Sequence, residues 1–133
     1  MDSDEDLENL GYSGIPLYKQ VGENVVFKDV LCLKDDGKFW IADSDEEITS
    51  SGMCVMALET ILADAYGLVL REGFVRDDSD NWTVAGKLYI HTTGGPPTQT
   101  KPSGVGDQIR IIGYATHADR FFFHPDSSYV EVE

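Results

Sequence analysis

Residues 86–100, GKLYIHTTGGPPTQT, read as a strand, a Gly-Gly-Pro-Pro reversal and a second, more polar strand. Residues 29–43, DVLCLKDDGKFWIAD, have the same layout around Asp36-Gly37, a pair suited to the positive φ of tight hairpins. Leu31-Cys32-Leu33 aligns with Leu88-Tyr89-Ile90 at an offset of 57 residues. GMCVMALE aligns with IRIIGYAT near that offset, Ala57 standing against Ala115 at 58. Each half reads strand, turn, strand, loop, buried strand. The layout fits two copies of one β unit; it also fits chance agreement between hairpins.

Outward from these stretches the signals stay β. NVVFKDVLCLK is rich in β-branched and large apolar residues. KFWIAD sends Phe39 and Ile41 to one face and Trp40 to the other. A charged loop, SDEEITSSG, leads to MCVMALE, and GLVLREGFVR reads as a strand bent or bulged at Gly73. KLYIHT, QIRIIGYAT, RFFFHP and SYVEVE complete the set. In RFFFHP, alternation sends Phe121 and Phe123 to one face and Phe122 to the other. Residues 56–66, MALETILADAY, hold good helix formers between Gly52 and Gly67, so they fit a strand end plus a loop or a short helix. Many short strands with frequent turn signals predict an all-β fold, a small β-barrel over residues 21–133.

Residues 1–20 differ. Five acids fall in the first eight residues, and Gly11, Gly14 and Pro16 then break any regular period. Leu10, Tyr12, Ile15, Leu17 and Tyr18 make the stretch too apolar for an inert tail. It reads as an extended N-terminal arm that either covers an edge of its own barrel or orders on a partner. The whole chain has 133 residues and a net charge of −14, and 19 acids against 10 bases remain beyond residue 8. Nucleic acid is not expected as a partner, because phosphate binding rests on Lys and Arg. No apolar run approaches a membrane span, and MDSDEDLENL lacks the basic and apolar regions of a signal peptide, so a soluble chain made in the cytoplasm is expected. Cys32 and Cys54 read as reduced, inert thiols on strands.

The search for chemistry returns no catalytic or metal-binding constellation. His91, His117 and His124 lack the close His or Cys neighbours of compact zinc sites. RDDSDNW at 76–82 looks calcium-like. Counted from Asp77, however, the sixth and twelfth places hold Trp82 and Leu88, not Gly and Glu. The run reads as a solvated turn capped by Asp and Asn. No Ser occupies a G-x-S-x-G elbow, and the prolines of TTGGPPTQTKPSGVGD spoil a phosphate loop. An enzyme is not expected, and no cofactor is implied. Trp82 and Phe122 are candidate interface aromatics, with core packing as the competing role for each.

Residues 73–126, from GFVRDDSDNW through GKLYIHTTGGPPTQTKPSGVGD to IRIIGYATHADRFFFHPD, resemble a recurrent β module of tailed-bacteriophage structural proteins. The likeness rests on Gly73 to Arg76, Trp82, Gly86 to Tyr89, Gly95 to Pro102, Gly106-Asp107 and Gly113 to Ala115, with Lys28 to Ala42 similar to the module's upstream element. Asp80 departs from it, standing where such turns often carry a second aromatic. Such modules serve as head decoration (cement) proteins and as domains of fibre and tail proteins. For this short chain the resemblance implies a capsid decoration protein on the virion exterior. It would bind the major capsid protein at capsomer junctions and stabilise the shell as a homo-oligomer, a trimer. The other role it implies is a fibre, tail or baseplate module with host adhesion. The residues expected to meet the partner are Leu10, Tyr12, Ile15, Pro16, Leu17 and Tyr18 of the arm.

Overall fold

The computed structural model describes residues 8–44, 52–126, 128 and 130–132, and among them every regular element is a strand. The first five are β1 (Tyr12–Gln20), β2 (Val30–Leu33), β3 (Phe39–Ile41), β4 (Cys54–Ala57) and β5 (Tyr66–Arg76). Then come β6 (Lys87–Tyr89), β7 (Gln108–Ile109), β8 (Ile111–His117), β9 (Arg120–Phe123) and β10 (Val130–Glu131). Eight strands form one strongly curled half-barrel sheet in the order β3-β2-β4-β5-β9-β8-β6, with β1 added on β5. The short strands β7 and β10 pair with each other.

Strand β5 organises the sheet. Along one edge it pairs with all of β1, from Tyr12↔Val75 to Gln20↔Tyr66. Its other edge is divided: Val69 and Leu70 face β4, while Gly73 to Arg76 face β9. Between the two, the β1 register steps from Ile15↔Glu72 to Pro16↔Leu70, leaving Arg71 as an extra residue. The bulge expected at Gly73 therefore falls two residues earlier, at the point where β5 changes partner. Gly73 has another task. It lies opposite Gly14, and a Cβ on either would stand 2.2 Å from a carbonyl oxygen of the facing strand. Only two glycines allow so close a crossing, and their φ values of 154° and 150° suit no other residue well.

Strands β2 and β4 are covered on both faces. Val30, Cys32, Cys54 and Met56 pack with Leu88, Ile112, Phe121 and Phe123. On the opposite face, Leu31, Val55 and Ala57 pack with Val21, Val25, Phe39 and Ile61. Two-sided burial is why VLC and CVMA read as continuous apolar runs. Phe121 and Phe123 are fully buried and Phe122 faces outward, as alternation requires. The Asp36-Gly37 hairpin also forms, with Gly37 at φ 82°.

Residues 58–65 are loop. β4 ends at Ala57, and Ile61 exchanges backbone hydrogen bonds with Val25 at 2.9 and 3.0 Å while its side chain enters the second cluster. Burial of Ile61 outweighs the helix propensity of its neighbours. Residues 12–20 of the expected arm are β1, so this part lies on its own sheet; residues 1–7 fall outside the described residues. The sheet is a half-barrel with β3 and β6 at its ends. Ser44 bridges those ends: its N–H donates to the His91 carbonyl at 3.1 Å, and its carbonyl accepts from Gln108 N–H.

The acidic turn is a buried anchor. Lys28, in the left-handed conformation at φ 81°, places its Nζ 2.9 Å from Asp77 and 2.6 Å from Asp80. All three side chains are nearly buried, so the turn is less solvated than the sequence suggests. Burial raises the Asp77 carboxyl, but hydrogen bonds from Ser79 and Lys28 outweigh it and hold the group below its ordinary 3.8.

Two predictions follow from this packing, both read by urea unfolding. Gly73→Ala drives a Cβ into backbone that cannot yield and should cost about 3 kcal/mol or more, whereas Gly37→Ala, strained only in φ, should cost about 1 kcal/mol. Equal losses would show that the close crossing is not what constrains Gly73. Lys28→Met strands two buried carboxylates and should cost roughly 3 kcal/mol at pH 6. A depressed carboxyl stabilises the fold above its unfolded value and loses that contribution as pH falls through the lower folded one. The gap between wild type and Lys28→Met should therefore close below about pH 4; a gap independent of pH contradicts the assignment.

Candidate interaction surface

The outer face of the β1-β5-β9 region carries an open groove of about 580 Å³. Its walls are Tyr12, Ile15 and Pro16 of β1, Glu72 and Phe74 of β5, and Phe122 of β9, and the Gly14–Gly73 crossing lies within it. Register explains the convergence. Ser13, Phe74, Phe122, Tyr114 and Lys87 are successive cross-strand partners on β1, β5, β9, β8 and β6. Phe74 and Phe122 touch with centroids 4.9 Å apart, and the His124 ring stacks on Phe122 at 5.5 Å. His124 in turn lies 3.5 Å from the Glu72 carboxylate. The result is an apolar trough with one polar pair on its rim.

Among the described residues, no strand pairs with the outer edge of β1. Leu68 turns its carbonyl to Leu58 N–H and its N–H to the Glu59 carboxylate, so its groups point away from β1. Tyr18, opposite Leu68, must then point its own groups away from β5. Alternation sends Pro16, Gly14 and Tyr12 the same way, in agreement with Arg76 N–H donating to the Gly11 carbonyl. Pro16 thus sits at an outward position, where its missing N–H leaves no gap in the ladder. Together with the Arg71 bulge it blunts an edge that would otherwise recruit strands without discrimination.

The candidate residues separate on this surface. Ile15, Pro16 and Phe122 meet at the groove; Tyr12 borders it but packs against the first core cluster, opposite Val75. Tyr18 lies further along β1, two-thirds exposed and stacked on Tyr66 at 6.0 Å. Leu10 is exposed, its N–H held by the Arg76 carbonyl, while Leu17 packs against the second core cluster. Trp82 is a packing residue: half-buried, edge-on to Phe121 at 5.8 Å, with its indole N–H donated to Asp80. Phe74, Tyr66 and the Glu72–His124 pair were not singled out from sequence. Phe74 was within reach, since it alternates with the core residue Val75. His124 meets Glu72 only through the fold.

A second, smaller opening of about 320 Å³ lies where β4 and β9 part at the β5 bulge, with Cys54, Arg71, Arg110 and His124 among its walls. Arg110 is nearly buried, donating from Nε to the Asp126 carbonyl at 2.6 Å and from Nη1 to the Gly52 carbonyl. The Cys54 Sγ–H donates to the Gly52 carbonyl at 3.7 Å, and Cys32 is its direct cross-strand partner. The neighbouring Cys54 thiol, with burial, pushes the Cys32 thiol up. The Cys54 thiol is drawn down by Cys32, against burial and with help from Arg110. Among the described residues no group of three or more His, Cys, Asp or Glu side chains is arranged to hold a metal ion.

No protein-family model and no curated protein matches the chain.

The placement of the three phenylalanines is directly testable. Phe121→Ala empties a fully buried site and should cost about 4 kcal/mol, whereas Phe122→Ala should cost roughly 1 kcal/mol. Chemical denaturation of the two variants checks this. A Phe122→Ala loss as large as that of Phe121→Ala would place Phe122 in the core.

Proposed function

We propose that this chain is a non-catalytic structural module that docks on a repeating protein lattice, as a phage head decoration protein does. The observation that carries the reading is the open β1 edge beside an apolar groove on a protein of net charge −14. Ile15, Tyr18 and Tyr66 are exposed along that edge, and clustered exposed apolar side chains mark interaction sites on soluble proteins. An extended segment of the major capsid protein could pair with the outward groups of Tyr12 and Gly14 and seat a side chain over Phe74 and Phe122. Acidic surroundings keep the module off nucleic acid and favour basic patches on the partner. A trimer at a capsomer junction would engage several shell subunits at once and multiply weak contacts. The location is then the capsid exterior.

The two-copy reading belongs with this proposal. The order β3-β2-β4-β5 in the first half is matched by the Thr98 bridge, β6, β8 and β9 in the second. The pair Leu31↔Val55 corresponds to Leu88↔Gly113 at offsets of 57 and 58 residues. We read the sheet as two such units joined edge to edge between β5 and β9. With its ends bridged at Ser44, the pair supports the likeness to small decoration barrels.

Co-sedimentation of the purified chain with mature phage heads and with unexpanded precursors tests the proposal. Saturable binding to mature heads is expected, and Ile15→Asp and Tyr18→Asp should each weaken it about tenfold or more. Deleting residues 1–20 would strip β1 from β5, so the point variants are the ones that isolate the surface. Folded wild-type protein that stays in the supernatant overturns the decoration reading. Full binding by both point variants overturns the β1 surface.

A further inference from the structure

The second opening leads to a chemistry that docking does not use. Cys32 of β2 and Cys54 of β4 are direct partners across antiparallel strands. Leu33 N–H donates to the Met53 carbonyl at 2.9 Å, which makes Leu33 and Met53 a hydrogen-bonded pair. The adjacent Cys32–Cys54 pair is then of the non-hydrogen-bonded kind, in which Cα atoms lie about 4.5 Å apart and side chains come closest. That spacing falls within the range a disulfide spans, about 4.4–6.8 Å. Both thiols are free.

The two are not equally accessible. Cys32 is fully buried, whereas Cys54 keeps 4% of its surface and forms part of the wall of the 320 Å³ opening. The charged and titratable groups around that opening are Arg71 and Glu72 on β5, Arg110 before β8, and His124 after β9. Arg110 is the cation acting on Cys54. Cys54 is thus the thiol on the side of the opening, and Cys32 is its direct partner across the strands.

We propose that Cys54 and Cys32 form a peroxide-reactive pair that closes into a β2–β4 disulfide. Cys54 thiolate attacks one peroxide oxygen; the O–O bond breaks, and the departing hydroxide takes a proton to leave as water, giving a sulfenic acid. The Cys32 sulfur then attacks the Cys54 sulfur. The S–O bond breaks, and the second hydroxide leaves as water with the proton of Cys32. Two thiols lose two electrons and two hydrogens, and one hydrogen peroxide becomes two waters. The product ties the ends of the segment 33–53, which includes the β2–β3 hairpin. The pair does not depend on the docking surface.

The test treats the full chain with hydrogen peroxide under native conditions, followed by intact mass, thiol titration and peptide mapping. The expected result is a monomer lighter by about 2 Da, both thiols lost together, and a Cys32–Cys54 cross-linked peptide that dithiothreitol reverses. The oxidised form should unfold roughly 10 °C higher than the reduced form. In Cys32→Ser, Cys54 should stop as a sulfenic acid captured by dimedone, while Cys54→Ser should leave Cys32 unreacted. Three results on the wild type alone overturn the proposal: both thiols unchanged, oxygen added without cross-linking, or a disulfide between two chains. Rapid oxidation of folded Cys54→Ser also overturns it.

Discussion

Strand β5 is the constraint on which the other features depend. Its 11 residues run unbroken beside β1, yet on the opposite edge they serve two partners, β4 and then β9. No single flat strand can face both without a change of direction, and the extra residue Arg71 supplies it. The same change of direction parts β4 from β9 and opens the gap that Arg110 spans with bonds to the Gly52 and Asp126 carbonyls. One bulge therefore accounts for the curl of the sheet, for the break in its inner edge and for the access to Cys54.

The outer edge follows from the same strand by a different route. Gly14 and Gly73 let β1 approach β5 more closely than any residue with a Cβ permits. That crossing carries no side chains, so the rings of Phe74 and Phe122 stand as the wall of a trough. β1 supplies the other wall, and no described strand pairs with its outer edge, which Pro16 limits. The Lys28–Asp77–Asp80 cluster, where the long segment before β2 meets the turn after β5, holds these elements in place. Removing one charge from such a cluster leaves the others buried without compensation.

Much of this was legible in the chain. The turn at Asp36-Gly37, the alternation in Phe121-Phe122-Phe123 and the run of strands rest on local rules of φ and of side-chain direction, which hold wherever a strand forms. Residues 56–66 fit a strand end plus a loop or a short helix, and the strand end and loop form because Ile61 is claimed by Val25 from a distant segment. The acidic turn at 76–82 misled: it looks solvated until Lys28, 49 residues from Asp77, is brought against it.

The sequence alone determined the all-β class, the hairpins, the acidic surface and the apolar character of residues 10–18, because each depends on residue type and near-neighbour spacing. Only the tertiary structure decided that those residues include an edge strand of the sheet, that Phe122 meets Phe74, that Trp82 turns inward, and that Cys32 faces Cys54. Each of these is a pairing between segments far apart in the chain. Which strand lies beside which is set by the burial of the whole core, and no local pattern encodes it.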